Sequence, residues 1–384
     1  MNIMRMLNKK RFLLILGLAS LGLTFGYTKN TAQADTNGPI VTIATKTQFP
    51  DTKSPSFLYG RGLVTSHTST KYNGRLYVTS EHYVSDTPTF LIFESLNNGK
   101  TWSKISEIKD THNFASNGQA WGNRYQPFLY ELPEQIGKMP KGTIICAGNS
   151  IPGDLSKTSI VLYYSTDHAR SWKYLSTIAT GGYADVNTTS NGPVWEPFVN
   201  VVDHKLVCYF SDERDKPAHS QKLSHRVSTD GINWSNEVDD VAFKSEQARP
   251  GMVTVAKMAN GKYIMTYEVV NSGEWRTNYK ISNDGLTWNA SDEGTRLAYG
   301  GAPYVVVMHN GDVVANTDGS GDLYVNKHNG NGAWQNVKIS MPLAYSRSLT
   351  VLPNDDLLIV SGGPLKSPTD PNSNSLTSMI YSFK

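Results

Sequence analysis

The apolar residues of this chain fall in short runs rich in β-branched and aromatic side chains, not at helical spacing. Asn-Gly, Asp-Gly and Pro-containing stretches separate the runs. Such punctuation marks tight turns between antiparallel strands, because Gly and Asn accept positive φ. A 3.6-residue apolar period, the mark of amphipathic helices, is almost absent. The pattern predicts an all-β chain.

One motif recurs along it. Ser95, Asn97, Gly99, Thr101 and Trp102 form the first copy, and Ser165, Asp167, Ala169, Ser171 and Trp172 the second. Ser228, Asp230, Gly231 and Trp234 form a third copy, one residue shorter, and Ser282, Asp284, Gly285, Thr287 and Trp288 a fourth. A degenerate fifth runs from Asn329 through Gly330 and Gly332 to Trp334. The Asp or Asn can take the turn's backbone N–H groups, and the Trp can plug the space beneath. This is a fold device, and it resembles the Asp-box of sialidases and other BNR-repeat β-propellers.

Hairpin turns count the units. They fall at Asn73-Gly74, Lys141-Gly142, Asp203-His204, Asn260-Gly261, Asn310-Gly311 and Asp355-Asp356. Six turns predict a six-bladed β-propeller. The strand from Ile40 to Thr47 has no blade of its own, and is expected to complete the last blade beside Ser378 to Phe383, closing the ring.

The N-terminus departs from this pattern. Arg5 to Arg11 are basic, Phe12 to Phe25 mostly apolar, and Ala32-Gln33-Ala34 forms an A-x-A cleavage site. These are the parts of a secretory signal peptide. The expected division is 1–34 signal and 35–384 catalytic propeller, in a secreted, extracellular protein of bacterial type. The apolar run is short for a membrane span, so no membrane attachment is expected after cleavage.

Removing this segment changes the charge. The chain carries 36 Lys+Arg against 33 Asp+Glu. Arg5, Lys9, Lys10, Arg11 and Lys29 lie within 1–34, which holds no acid, so 36 bases less 5 then face 33 acids. A slightly acidic chain lacks the basic footprint of a nucleic-acid binder. Two cysteines, Cys146 and Cys208, exclude a disulfide-stapled scaffold and are expected to be buried free thiols. The nine histidines show no metal-ligand spacing. No phosphate loop or dinucleotide fingerprint occurs. Neither cofactor nor metal is expected, and a monomer is.

Chemistry should sit where the innermost strands meet. Aligning the first strand of each unit on the residue before its Pro, Gly or Ser gives a ring of Arg61, Gln126, Glu196, Arg249, Ala302 and Arg347. Counting seven residues past each turn gives a second ring of Glu81, Asn149, Ser211, Glu268, Asp318 and Gly363. A hairpin returns to the end where it began, so both rings should lie near one mouth of the channel. Carboxyls gathered there suggest glycoside hydrolysis, in which one protonates the leaving oxygen while the other attacks C1 or activates water. Tyr59, Tyr125, Trp195, Tyr267, Tyr304 and Tyr345 flank the rings and suit stacking on sugar faces. Arg–carboxylate pairs that merely satisfy one another are the structural alternative.

Five segments sharpen the choice: Gly122 to Phe128, Pro193 to Phe198, Ser211 to Asp215, Ala248 to Met252 and Ile264 to Glu268. Together with the repeated turns they resemble glycoside hydrolase family 93. The resemblance spans about Ile40 to Lys384. It implies a six-bladed propeller with exo-α-1,5-L-arabinanase activity, releasing arabinobiose from linear arabinan with retention. It implies Glu196 and Glu268 as the catalytic pair. Arg61, Arg124, Tyr125, Gln126, Trp195, Arg249, Tyr304 and Arg347 are the expected substrate contacts. The neighbours Trp195 and Pro197 suggest Glu196 as acid/base and Glu268 as nucleophile, an order the residues leave open. Two rivals stand beside this reading. In an exo-sialidase, Arg61, Arg249 and Arg347 would clamp a carboxylate. In a non-catalytic carbohydrate-binding propeller, the acids would only bind.

Overall fold

The structure, a computed structural model, describes residues 36–85, 87–112, 120–216, 218–243, 248–271, 274–367 and 369–383. Among these residues there is no α-helix, and the strands form six four-stranded antiparallel sheets. Blade one runs from Phe57–Val64 through Leu76–His82 and Phe90–Ser95 to Ser103–Ile108. Blades two to five begin with the inner strands Trp121–Glu131, Val194–Val202, Arg249–Lys257 and Tyr304–Val307, and each continues outward in chain order. Inner strands contact one another in cyclic order, with that of blade six, Ser348–Val351, returning to that of blade one. The fold is a six-bladed β-propeller.

Blade six closes it. Its outer strand is Val41–Ala44, paired antiparallel to Leu376–Ser382 with Val41 opposite Ser378 and Ala44 opposite Leu376. The strand is shorter than the 40–47 stretch expected, but it lies where that stretch was placed. Pairing the two ends of the chain in one sheet leaves the ring without an open seam.

The repeated turns clip neighbouring blades together. In the second copy, Asp167 Oδ1 accepts the N–H groups of Arg170 (3.1 Å) and Ser171 (2.9 Å). In the fourth, Asp284 Oδ1 accepts those of Leu286 (2.9 Å) and Thr287 (2.7 Å). Three of the tryptophans reach the preceding blade. Trp102 Nε1 donates to Ser378 Oγ (3.1 Å), Trp172 to Ser106 Oγ (3.1 Å) and Trp234 to Ser176 Oγ (3.0 Å). Trp288 is buried, while these three are half-buried because they straddle a blade boundary.

The decisive local feature is a ring of left-handed residues. Tyr59, Gln126, Glu196, Met252, Ala302 and Ser346, one per blade at or just before the inner strand, have φ between 47° and 61°. In blades one to four the pairing register shifts at the same place. These are β-bulges, which turn backbone N–H groups out of the ladder. Alignment on the following Pro, Gly or Ser found this ring at Gln126, Glu196 and Ala302. It missed by a few residues at Arg61, Arg249 and Arg347, because the bulge keeps no fixed distance from those markers.

Candidate active site

Four residues of this ring turn an N–H that finds its acceptor in the preceding blade. The Met252 N–H donates to Glu196 Oε2 at 2.7 Å, and the Ala302 N–H to Glu268 Oε2 at 2.9 Å. The Gln126 N–H donates to Glu81 Oε1 at 2.9 Å, and the Glu196 N–H to Gln126 Oε1 at 3.1 Å. Buried backbone donors of this kind require partners. The acids counted seven residues past the turns are thus drawn to the mouth of the channel.

Glu196 and Glu268 face each other across Gly251. A methyl group at Gly251 would lie 3.3 Å from Glu268 Oε1 and 3.5 Å from Glu196 Oε2. The buried Gln221 amide comes nearer still, its Nε2 2.6 Å from that methyl position and donating to Pro250 O (2.6 Å), so a side chain at Gly251 would crowd all three groups. Both acids are buried, at 8% and 4% exposure, yet their surroundings differ. Glu196 Oε2 accepts Ser211 Oγ–H (2.6 Å) as well as the Met252 N–H. Burial holds its pKa above the ordinary carboxyl value, although Ser211, the Arg249 charge and the Met252 N–H pull it down. Glu268 Oε2 accepts Trp275 Nε1–H (3.2 Å) besides the Ala302 N–H. Burial, and then the charge of Glu196, push Glu268 up to about 7. Desolvation and a like-charged neighbour both penalise a carboxylate.

Behind Glu196 lies a charge relay absent from the sequence-derived site. Glu213, fully buried, accepts Arg249 Nη2–H (2.7 Å) and Trp195 Nε1–H (3.1 Å) on one oxygen, with Lys216 Nζ 2.6 Å from the other. Burial disfavours the Arg249 charge, but Glu213, Glu196 and Glu268 more than offset this and raise its pKa. Glu81, Tyr83 and Gln126 form the opposite wall. Tyr83 O–H donates to Glu81 Oε2 (2.9 Å), and Asn149 Nδ2–H donates to Gln126 Oε1 (2.7 Å). Tyr59 and Tyr345 complete it; burial and then the charge of Glu196 keep both phenols protonated.

The expected contacts divide accordingly. Arg249 acts on both carboxyls by its charge, Gln126 accepts the Glu196 N–H, and Trp195 reaches Glu213 behind them. Tyr125 stands beside them, its ring centroid 6.4 Å from that of Trp195. Arg124 lies on the same strand at the bulge of blade two. Arg61 and Arg347 are elsewhere engaged. The Arg61 guanidinium donates to Gly60 O (3.0 Å), Ser346 O (2.9 Å) and Ser346 Oγ (2.9 Å), tying blade one to blade six. Arg347, 1% exposed, donates to the carbonyls of Gly321 (3.0 Å), Ser320 (3.1 Å) and Thr317 (3.3 Å). Tyr304 packs beneath Arg61, 5.4 Å from ring to guanidinium, and lines a cavity of about 300 Å³ further along the channel with Phe128, Phe198 and Leu349. Arg61, Arg347 and Tyr304 thus make contacts within the fold, while the Arg61 charge also acts on Glu81 and Tyr59 of the wall. Two of the three arginines of a would-be anion clamp already donate to backbone carbonyls of the fold.

Sequence reasoning missed Glu213, Tyr83 and Trp275. Glu213 lies in a segment that was noticed, but nothing in the residue string shows that Arg249 reaches it from the next blade. Cys146 and Cys208 are buried and unbridged. No group of acidic, His and Cys side chains able to hold a metal occurs among the described residues.

A propeller whose channel mouth holds two buried, facing carboxyls in unlike surroundings is a glycoside hydrolase in architecture and site. Known structures narrow this. The chain is 36% identical to the GH93 α-L-arabinofuranosidase of Fusarium graminearum, solved with arabinobiose, over 90% of this chain and 97% of that one, with a TM-score of 0.78. It is likewise 36% identical to the α-L-arabinanase of Penicillium chrysogenum, also complexed with arabinobiose, over 90% and 97%, with a TM-score of 0.79. The NanB sialidase of Streptococcus pneumoniae is 12% identical over 86% of this chain and 69% of its own, with a TM-score of 0.57, a likeness of fold alone. No protein-family profile and no curated protein matches the chain. The chain belongs to glycoside hydrolase family 93.

Proposed function

We propose that this protein is a retaining exo-α-1,5-L-arabinanase that releases arabinobiose from linear arabinan, with Glu196 as nucleophile and Glu268 as acid/base. The observation that carries the proposal is the pair of carboxyls flanking Gly251. The two oxygens nearest it can be no further apart than the 3.3 Å and 3.5 Å reaches laid end to end. This closeness suits a double displacement, in which one carboxyl attacks C1 while the other serves the leaving oxygen. The arabinobiose bound to the Fusarium and Penicillium enzymes supports the substrate class.

The roles follow from unlike stabilisation, and they reverse the order that the neighbours of Glu196 in sequence suggest. Glu196, though burial raises its pKa as well, accepts hydrogen bonds from Ser211 and the Met252 N–H and feels the Arg249 charge, all of which favour its anion, as a nucleophile requires. Glu268, held near 7, keeps a proton to give near neutral pH. In the first step the Glu196 carboxylate attacks C1 while Glu268 passes its proton to the departing glycosidic oxygen. An arabinosyl ester on Glu196 results. In the second step Glu268, now ionised, takes a proton from water, and the hydroxide equivalent displaces Glu196 with net retention.

The same reading makes residues 1–34 an export signal, places the mature monomer outside the cell, and takes the repeated Ser-x-Asp/Asn turns as Asp-boxes. The test is product analysis with linear arabinan and with sialyllactose. Arabinobiose from the first and nothing from the second is the expected result. Release of free sialic acid, or no cleavage of arabinan, overturns the proposal.

A further inference from the structure

We infer that the indole face of Trp275 is the platform for the arabinofuranosyl unit on the leaving side of the cleaved bond, and that its N–H positions Glu268 toward the departing oxygen. The inference rests on Glu268 as acid/base.

Glu268 is held asymmetrically. Both of its donors, the Ala302 N–H and Trp275 Nε1–H, fall on Oε2. Oε1 takes no hydrogen bond among the described residues and faces Glu196 across Gly251. The sugar to be attacked therefore lies on the Oε1 side, between the carboxyls. Trp275 flanks the carboxyl on the other side and is 42% exposed, whereas Trp195 and Tyr59, at 7% and 3%, are buried in the wall of the site. An acid/base must stand beside the leaving oxygen, so an exposed ring touching that acid is placed to meet the sugar that leaves with it. Flat, partly exposed aromatic faces suit the apolar faces of sugars.

The backbone around the ring is built for this contact. A methyl group at Gly301 would fall 2.0 Å from Trp275 Nε1 and 2.2 Å from Glu268 Oε2, so only glycine lets the indole reach the carboxyl. Gly300, at φ 88°, donates its N–H to Trp275 O (3.0 Å), and Thr277 Oγ1–H fixes the Gly300 carbonyl (2.9 Å). Two glycines and two backbone N–H groups thus hold one exposed ring against one acid.

The test uses two substrates and two variants of the full protein. Arabinotetraose fills the leaving side; α-arabinobiosyl fluoride, whose leaving atom is a halide, leaves it empty. For Trp275→Ala, the ratio of kcat/KM on arabinotetraose to kcat/KM on the fluoride is expected to fall about tenfold or more. Trp275→Phe keeps a ring and loses only the N–H. It is expected to hold that ratio within about threefold and to move the alkaline limb of the kcat profile upward, because the lost donor favoured the Glu268 anion. An unchanged ratio in Trp275→Ala, or equal loss on both substrates, overturns the inference. Wild-type protein inert on both substrates would instead sink the arabinanase reading beneath it.

Discussion

Replacing Glu268 by Gln should stabilise the fold while abolishing catalysis, and only above a defined pH. The ordinary carboxyl value of 4.5 becomes about 7 in the folded chain, through burial and the charge of Glu196. Below 4.5 both folded and unfolded states hold the proton, and nothing is lost. Between 4.5 and 7 the folded state keeps a proton that the unfolded state has released, so stability falls as pH rises. Well above 7 the penalty is complete, at roughly 3 kcal/mol. Gln fits the same contacts. Its carbonyl can accept the Ala302 and Trp275 N–H groups, and its uncharged NH₂ removes the repulsion with Glu196. With an unfolding entropy of about 2.1 cal/mol/K per residue, the gain is about 4 °C in midpoint for a chain of this size. Thermal melts of both proteins at pH 4.5 and pH 8 measure it. The expected result is a higher midpoint for the variant at pH 8 and near-equality at pH 4.5. A variant no more stable than wild type at pH 8, or equally stabilised at both pH values, refutes the electrostatic account of the site.

Other changes follow from the same geometry. Glu196→Gln and Glu268→Gln should each lower kcat by at least about 10³; azide should give an inverted glycosyl azide with Glu196→Ala and a retained one with Glu268→Ala, as product NMR would show. Arg347→Met should lower the unfolding free energy by about 3 kcal/mol, since three loop carbonyls lose their donors, and denaturant titration should show this with arabinan still the substrate. Gly301→Ala should cut kcat by about 10² or more in steady-state assays, because its methyl falls where the Trp275–Glu268 contact lies. Glu81→Gln should keep kcat/KM within about tenfold, far above the Glu268 variant.

The sequence carried the architecture further than the site. Six turns and a tryptophan-bearing repeat fix the blade count because each is a local device, decided by residues next to one another in the chain. Glu196 and Glu268 were legible for a related reason: hairpin arithmetic places an acid at the mouth wherever the turn is read correctly. The partners of those acids were not legible. Ser211, Met252 and Arg249 reach Glu196 from other strands or another blade. Its chain neighbour Trp195 turns its N–H away to Glu213. The apolar look of the Trp195–Pro197 setting therefore says little about the role of Glu196. Arg61 and Arg347 fall beside the left-handed ring rather than on it, for a different reason. A β-bulge changes register by one residue without leaving a fixed mark in sequence, and a guanidinium near a channel serves carbonyls as readily as a ligand.

The ring of bulges explains why this mouth gathers perturbed carboxyls at all. Each bulge turns an N–H out of its ladder, and that donor must be met inside a crowded channel. At Gln126 and Ala302 an acid on the second strand of the preceding blade meets it, and the burial that makes the contact also raises the acid's pKa. Glu81 and Glu268 occupy equivalent positions and share this fate: each accepts the next blade's bulge N–H, and burial foremost pushes each up to about 7. A raised pKa therefore does not distinguish the reactive acid from its structural counterpart. What differs is the second oxygen. In Glu81 it is taken by the Tyr83 hydroxyl. In Glu268 both donors crowd onto Oε2, which leaves Oε1 directed at Glu196 across a glycine. Reactivity at this mouth thus comes from where the spare oxygen points, and the Trp275 N–H helps to decide that.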